Sequence, residues 1–145
     1  MASEFSAGGV VINDAHEVIV IVPTRRAADG SRVLALPKGH PEQGEIAPDA
    51  AARELREEAG VEADLVEKLG EVRYRYQRDG RRVAKVVAFF LFRYVAGSPA
   101  DHDHEVEEAR WVDLAEAATT LTYTGEREMA RRALAQGVAS RPHGR

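Results

Sequence analysis

The chain has 145 residues, 44% of them apolar, and a net charge of -4 from 24 acidic and 20 basic side chains. That length suits one domain around one core, and the modest negative charge excludes the broad positive field that drives sequence-independent binding to long nucleic acid. With no cysteine, disulfides, thiolate metal sites and a cysteine nucleophile are excluded, so any metal must be held by oxygen or imidazole.

No basic segment leads into an apolar stretch at the start, and no apolar run nears the roughly 20 residues of a membrane helix. A soluble, cytoplasmic protein is expected, with no membrane partner and either a monomeric or a homodimeric state.

In chain order, residues 5–12 and 17–22 are β-branched, apolar runs separated by Asn13-Asp14-Ala15-His16, which reads as two strands joined by a hairpin turn. Gly8 and Gly9 weaken the first strand where another backbone comes close. Residues 23–31 read as a loop, 32–36 as a short strand and 37–48 as an aperiodic Gly/Pro-rich stretch. Residues 50–59 are rich in Ala, Leu, Glu and Arg and predict a helix, with Pro48 in its first turn, Ala47 as a poor cap and Gly60 as its stop.

Residues 63–77 and 82–94 read as two long strands joined by Arg78-Asp79-Gly80, a hairpin turn. A short strand at 109–112 and helices at 114–118 and 126–135 complete the pattern, and the tail from Ser140 is expected to fray. Strands on both sides of a central helix, followed by terminal helices, predict an α/β domain with a mixed sheet between helical layers. The pattern does not give the strand order.

The chemistry is concentrated between Leu36 and Val61. On a helix, Glu54, Glu57 and Glu58 are three and four residues apart and share a face, where like charges repel. Ala51, Ala52, Leu55 and Ala59 form the opposite, apolar stripe. A solvated face of paired charges has the same spacing. A hard cation relieves the repulsion, however, and magnesium is typically held by a few carboxylates together with substrate phosphates. Upstream, Lys38 and the flexible backbone at Gly39 and Gly44 can bring a cation and a carbonyl to one anion. Arg53 can pair with Glu57 one turn on, or with Glu45 across the loop.

Gly39, Glu45, the run Arg53-Glu54-Leu55, the pair Glu57-Glu58 and the pair Gly60-Val61 stand at the spacing of the signature box of Nudix hydrolases. With about nine specified positions in about twenty-three residues, the match is far more specific than a lone glycine motif. The strands and helices around the box resemble the family's single domain along most of residues 1–145.

The resemblance implies an α/β/α sandwich and a hydrolase using Mg2+, with Mn2+ as a substitute. Glu57 and Glu58 would be metal ligands, Glu54 a ligand or base, and the Gly39 carbonyl a further ligand. Arg53 and Glu45 would orient them, and Gly44 and Gly60 would shape the loops. Relatives often add one more glutamate shortly before an Arg-Trp pair. Here Glu105 is the choice, with Glu107 and Glu108 as alternatives and an exposed acidic loop as the plain reading. His102 and His104 are expected in solvent, because magnesium prefers oxygen.

Within the family, Pro37-Lys38-Gly39-His40 most resembles the diadenosine polyphosphate and diphosphoinositol polyphosphate hydrolases, and Lys85 resembles a lysine those enzymes set against the phosphate chain. Lys38, His40, Lys85 and Arg25 are therefore candidate substrate contacts, with Arg26 beside them. Tyr74 and Tyr76 alternate with Arg73 and Arg75, so the tyrosines share a sheet face on which an adenine can stack. A small nucleotide is the expected partner, and a diadenosine polyphosphate the first choice. An 8-oxo-dGTP or nucleoside triphosphate pyrophosphatase shares the whole box, and a nucleotide sensor without turnover is the alternative of a different class.

Overall fold

A computed structural model describes residues 2–137, with side chains from residue 4 onward. The expected fraying of residues 140–145 lies outside that range. Three strands, β1 (Ala2–Ile12), β2 (Glu17–Pro23) and β3 (Lys38–Gly39), precede helix α1 (Ala47–Ala59); three more, β4 (Val61–Arg78), β5 (Arg81–Gly97) and β6 (Val106–Asp113), precede helices α2 (Leu114–Thr120) and α3 (Thr124–Gln136). The sheet runs β4-β5-β1-β2-β6, with β3 attached to β1. β1 and β5 are parallel and the other pairs antiparallel, so the expected mixed sheet is present.

Each face carries its own apolar layer. Ala50, Ala51, Leu55 and Ala59 of α1 pack on Ala7, Val11, Ile19, Ala88, Phe90 and Phe92. On the other face, Ala117 and Ala118 of α2 and Met129, Ala130 and Ala133 of α3 cover Val10, Val20, Val87, Phe89 and Leu91. This is a helix-sheet-helix sandwich. The β4–β5 hairpin closes with Asp79 at φ 52° and Gly80 at φ 76°, the two positive values that match the twist of paired strands.

Residues 32–36 do not form the expected strand. Arg32 and Ala35 make only isolated bridges, to Arg26 and Ile21, because the segment serves as a wedge. β1 and β2 pair only at Ile12 and Val18 and then part. Ala35 exchanges both backbone hydrogen bonds with Ile21, and Pro37 accepts from Gly9 N–H. Lys38 and Gly39 then pair with Gly8 and Ala7. The splayed strands thus grip 35–39 from both sides, and this two-sided hold positions Lys38 and Gly39. It also explains the close backbone approach expected at Gly8 and Gly9.

Other boundaries differ by a few residues. β6 starts at Val106 rather than at residue 109, and α1 starts at Ala47, with Ile46 rather than Ala47 at its N-cap and no side-chain cap bond. Among the described residues no helix is long and apolar enough to cross a membrane.

Candidate active site

Arg53 organises the carboxylates. Its Nε donates to Glu45 Oε2 and its Nη2 to Glu45 Oε1, both at 3.0 Å, while Nη1 donates to Glu54 Oε2 and Glu57 Oε1 at 3.1 Å each. Nη2 also reaches the His40 carbonyl at 2.9 Å. Both partners foreseen for Arg53 are therefore engaged at once. Glu45 is held further by Glu42 N–H at 2.8 Å, and the Arg53 bond keeps its carboxyl below the usual range. A planar fork bound at two points is the firmest way to aim such a group.

The three box glutamates do not all face solvent, as a shared exposed face would require. Glu54 is buried at 8% exposure, Glu58 is half-buried and only Glu57 is exposed, because α1 lies in the groove made by 37–39 and the loop near 103. Glu58 Oε1 accepts Lys38 N–H at 2.9 Å. Burial pushes the Glu58 carboxyl up to about 8, against the pull of that N–H, and the charge of Glu54 adds to the rise. Burial raises Glu54 as well, with Arg53 opposing. A Cβ at residue 39 would collide with the Glu54 carboxylate, so only glycine lets those oxygens lie against this backbone. Gly60 takes φ 70° at the helix end, where a side chain would meet the Ser98 carbonyl. Gly44 has φ 81°.

Glu105 is exposed. Its N–H is bonded to Asp103 Oδ1 and its carbonyl accepts Thr24 N–H. Asp103 is the residue of this loop that meets the helix: its N–H donates to the Glu57 carbonyl at 2.8 Å, and its charge raises both Glu54 and Glu58. Glu107 and Glu108 point to other partners, with Glu107 bridging Arg26 and Arg32 and Glu108 pairing with Arg110. His104 is exposed, but His102 is half-buried, its Nδ1 2.7 Å from the Asp103 carbonyl.

A second group gathers around a cavity of about 570 Å³ lined by Arg25, Lys38, Tyr74, Tyr76, Lys85 and Tyr123, with Arg26, Arg75 and Arg78. Tyr74 and Tyr76 do share a face, though Arg75, expected opposite them, also contributes to the lining. Tyr74 stands edge-on to Tyr123 with ring centres 5.5 Å apart. Tyr76 donates to Glu4 and accepts from Arg78. Burial and the nearby charges of Lys38 and Arg25 lower the Lys85 ammonium, the sign of a cavity with surplus positive charge. Arg25 and Lys85 have no carboxylate at ion-pair distance among the described residues. His40 does not line the cavity: its Nδ1 lies 3.1 Å from the Phe5 carbonyl and 3.5 Å from the Ser6 hydroxyl.

Lys38 belongs to both groups. Its backbone N–H holds Glu58, and its side chain, 11% exposed, reaches Glu126 Oε2 at 3.1 Å on the cavity side. Sequence reasoning missed Glu126, Asp103 and Tyr123. Glu126 had a signal: it precedes Met129, Ala130 and Ala133 on the buried stripe of α3, and a glutamate at a core-facing helical position marks a buried charge.

The NUDIX domain model matches residues 3–133. A mutator protein of Mycobacterium tuberculosis, MutT4, is 40% identical over 133 residues, which is 88% of this chain and 53% of that protein. An 8-oxo-(d)GTP phosphatase of Mycolicibacterium smegmatis is 33% identical over 125 residues, 86% of this chain and 36% of that protein. The chain thus spans about half and about a third of the length of these two relatives. Among solved structures, a C. elegans Ap4A hydrolase binary complex superposes with a TM-score of 0.67 at 20% identity, covering 93% of this chain and 98% of that one.

Proposed function

The chain belongs to the NUDIX family, and on that premise we propose that it is a magnesium-dependent hydrolase of a phosphoanhydride bond in a nucleotide bearing several phosphates. The observation that carries this reading is the double role of Lys38. One residue joins the carboxylate group to a cationic cavity lined by tyrosines.

The donor set fits a hard divalent ion. Every side-chain donor is oxygen, two of the carboxyls are raised by burial, and the bare backbone of Gly39 admits Glu54. Glu54, Glu57, Glu58 and the Gly39 carbonyl would hold it. Among the described residues no three acidic or histidine side chains form a ready-made cage, so waters and substrate phosphates would have to complete the shell of such an ion. When bound, such an ion lowers the pKa of water and offsets charge on the phosphoryl oxygens. Arg53 would fix the carboxylates, Glu54 would act as a ligand or take a proton from an attacking water, and Asp103 or Glu105 would supply the outlying carboxylate. Arg25 and Lys85 hold the phosphate chain.

The substrate reading is a diadenosine polyphosphate. A cavity of about 570 Å³ admits one nucleoside and its first phosphates within the ~300–1,000 Å³ of small-molecule sites. A pyrophosphatase of 8-oxo-dGTP or another nucleoside triphosphate is the second reading, supported by the 33% identity to a protein named 8-oxo-(d)GTP phosphatase.

Incubation with Mg2+ and a panel of diadenosine polyphosphates, oxidised nucleoside triphosphates, ADP-ribose and diphosphoinositol phosphates decides between them. ATP released from a dinucleotide supports the first reading, and pyrophosphate plus a monophosphate supports the second. Hydrolysis unchanged in Glu57→Gln would remove the mechanism from both.

A further inference from the structure

Glu126 is fully buried, so it cannot touch a ligand, yet a buried carboxylate survives only if its oxygens are satisfied. Here they are. Oε1 accepts Leu36 N–H at 2.8 Å, and Oε2 accepts the Tyr74 hydroxyl at 2.6 Å and lies 3.1 Å from the Lys38 ammonium. Two of these partners, Leu36 and Lys38, sit on the segment wedged between β1 and β2. The same segment presents Lys38 N–H to Glu58 and Gly39 to Glu54. The carboxylates come from α1 on one face of the sheet, and Glu126 comes from α3 on the other. Residues 36–39 touch both sides, Glu54 and Glu58 of α1 through Gly39 and Lys38, and Glu126 of α3 through Leu36 and Lys38.

We propose that Glu126 is a positioning residue for the metal-binding carboxylates: by anchoring Leu36 and Lys38 it fixes the N–H that aims Glu58. Through Lys38 and Tyr74 the same carboxylate also braces the wall of the cationic cavity. This rests on the hydrolase reading for its consequence in catalysis, but its effect on metal binding is separate from turnover. Glu126→Gln is the informative change. The amide oxygen can still accept Leu36 N–H, whereas the amide NH2 faces the Lys38 ammonium with like polarity, so Lys38 is released.

The test uses the full chain as wild type, Glu126→Gln, Lys38→Met and the double variant. Thermal unfolding reports folding, and Mn2+ affinity is read from the free-ion EPR signal. Steady-state hydrolysis of diadenosine tetraphosphate gives kcat and KM separately. Groups that orient metal ligands typically govern about 10–100-fold in affinity or activity, so Mn2+ affinity should fall about tenfold in folded Glu126→Gln, with a similar fall in kcat. Lys38→Met should weaken Mn2+ binding comparably, and the double variant should be no worse than the poorer single one, since both break one link.

Full Mn2+ affinity in folded Glu126→Gln overturns the proposal. If that variant does not fold, full affinity in Lys38→Met overturns it equally. Weakened Mn2+ binding with no hydrolysis even by the wild type would keep the positioning role and remove the hydrolase reading, and a wild type that binds no Mn2+ overturns both.

Discussion

Arg53 and Glu45 meet through two parallel hydrogen bonds of 3.0 Å, from Nε to Oε2 and from Nη2 to Oε1. The geometry needs a planar fork, because the remaining nitrogen, Nη1, must reach Glu54 and Glu57 while the first two stay on Glu45. Lysine has charge but no fork. Arg53→Lys should therefore lower kcat by about 100-fold while the far-UV spectrum is kept, in line with the effect of losing groups that aim metal ligands. A lysine variant within a few-fold of wild type would show that charge alone suffices.

At Gly39 the prediction is steric. A single methyl would enter the space held by the Glu54 carboxylate, so that carboxylate would have to turn away from the Gly39 backbone and from the ion it is proposed to hold. Gly39→Ala should abolish Mg2+-dependent turnover, and isothermal titration with Mn2+ should give no saturable binding. The contrasting Gly30→Ala, at a residue with nothing within 4 Å of an added Cβ, should leave Mn2+ binding intact and cost only backbone strain, since Gly30 has φ 86°. Normal Mn2+ binding by Gly39→Ala would place the ion elsewhere.

How far the sequence could be read depended on the range of the interactions. The helix at 47–59, its glycine stop and the turn at 79–80 are set by neighbours in sequence, and their patterns were legible. The carboxylate spacing was legible for the same reason, as was the sharing of a face by Tyr74 and Tyr76. Residues 32–36 misled because their β-like composition carries no record of the two strands that part around 35–39. Burial of Glu54 and Glu58 was likewise hidden, because the groove that covers them is made by chain twenty residues upstream and by the loop near 103. Asp103 and Glu126 act across 46 and 88 residues of sequence, from Glu57 and Lys38 respectively, and no local periodicity encodes such pairings.

The loop after β5 offers a direct contest between two carboxylates. Asp103 is tied by its backbone to Glu57 and repels Glu54 and Glu58, whereas Glu105 is exposed. If Asp103 supplies the outlying oxygen, Asp103→Asn should raise the Mg2+ concentration for half-maximal rate by about tenfold, and Glu105→Gln should change it by less than about twofold. The reverse order would return the role to Glu105, with the loop closing further on substrate.

The raised carboxyl of Glu58 makes folding stability depend on pH with a definite sign. Between the ordinary glutamate value of 4.5 and about 8, the folded chain keeps a proton that the unfolded chain has lost. Its contribution is complete below about 4.5 and disappears as pH climbs through about 8. Glu54 is raised as well and acts in the same direction. In EDTA the melting temperature should fall between pH 5 and 8 by on the order of 5 °C. Glu58→Gln, which has no proton to lose, should reduce that slope. Magnesium binds the ionised carboxylates, so its stabilisation should be larger at pH 8 than at pH 5, and calcium, with looser geometry and more ligands, should stabilise without supporting comparable turnover. Equal slopes for wild type and Glu58→Gln in EDTA would mean that Glu58 is already ionised at pH 5 and that Lys38 N–H outweighs its burial.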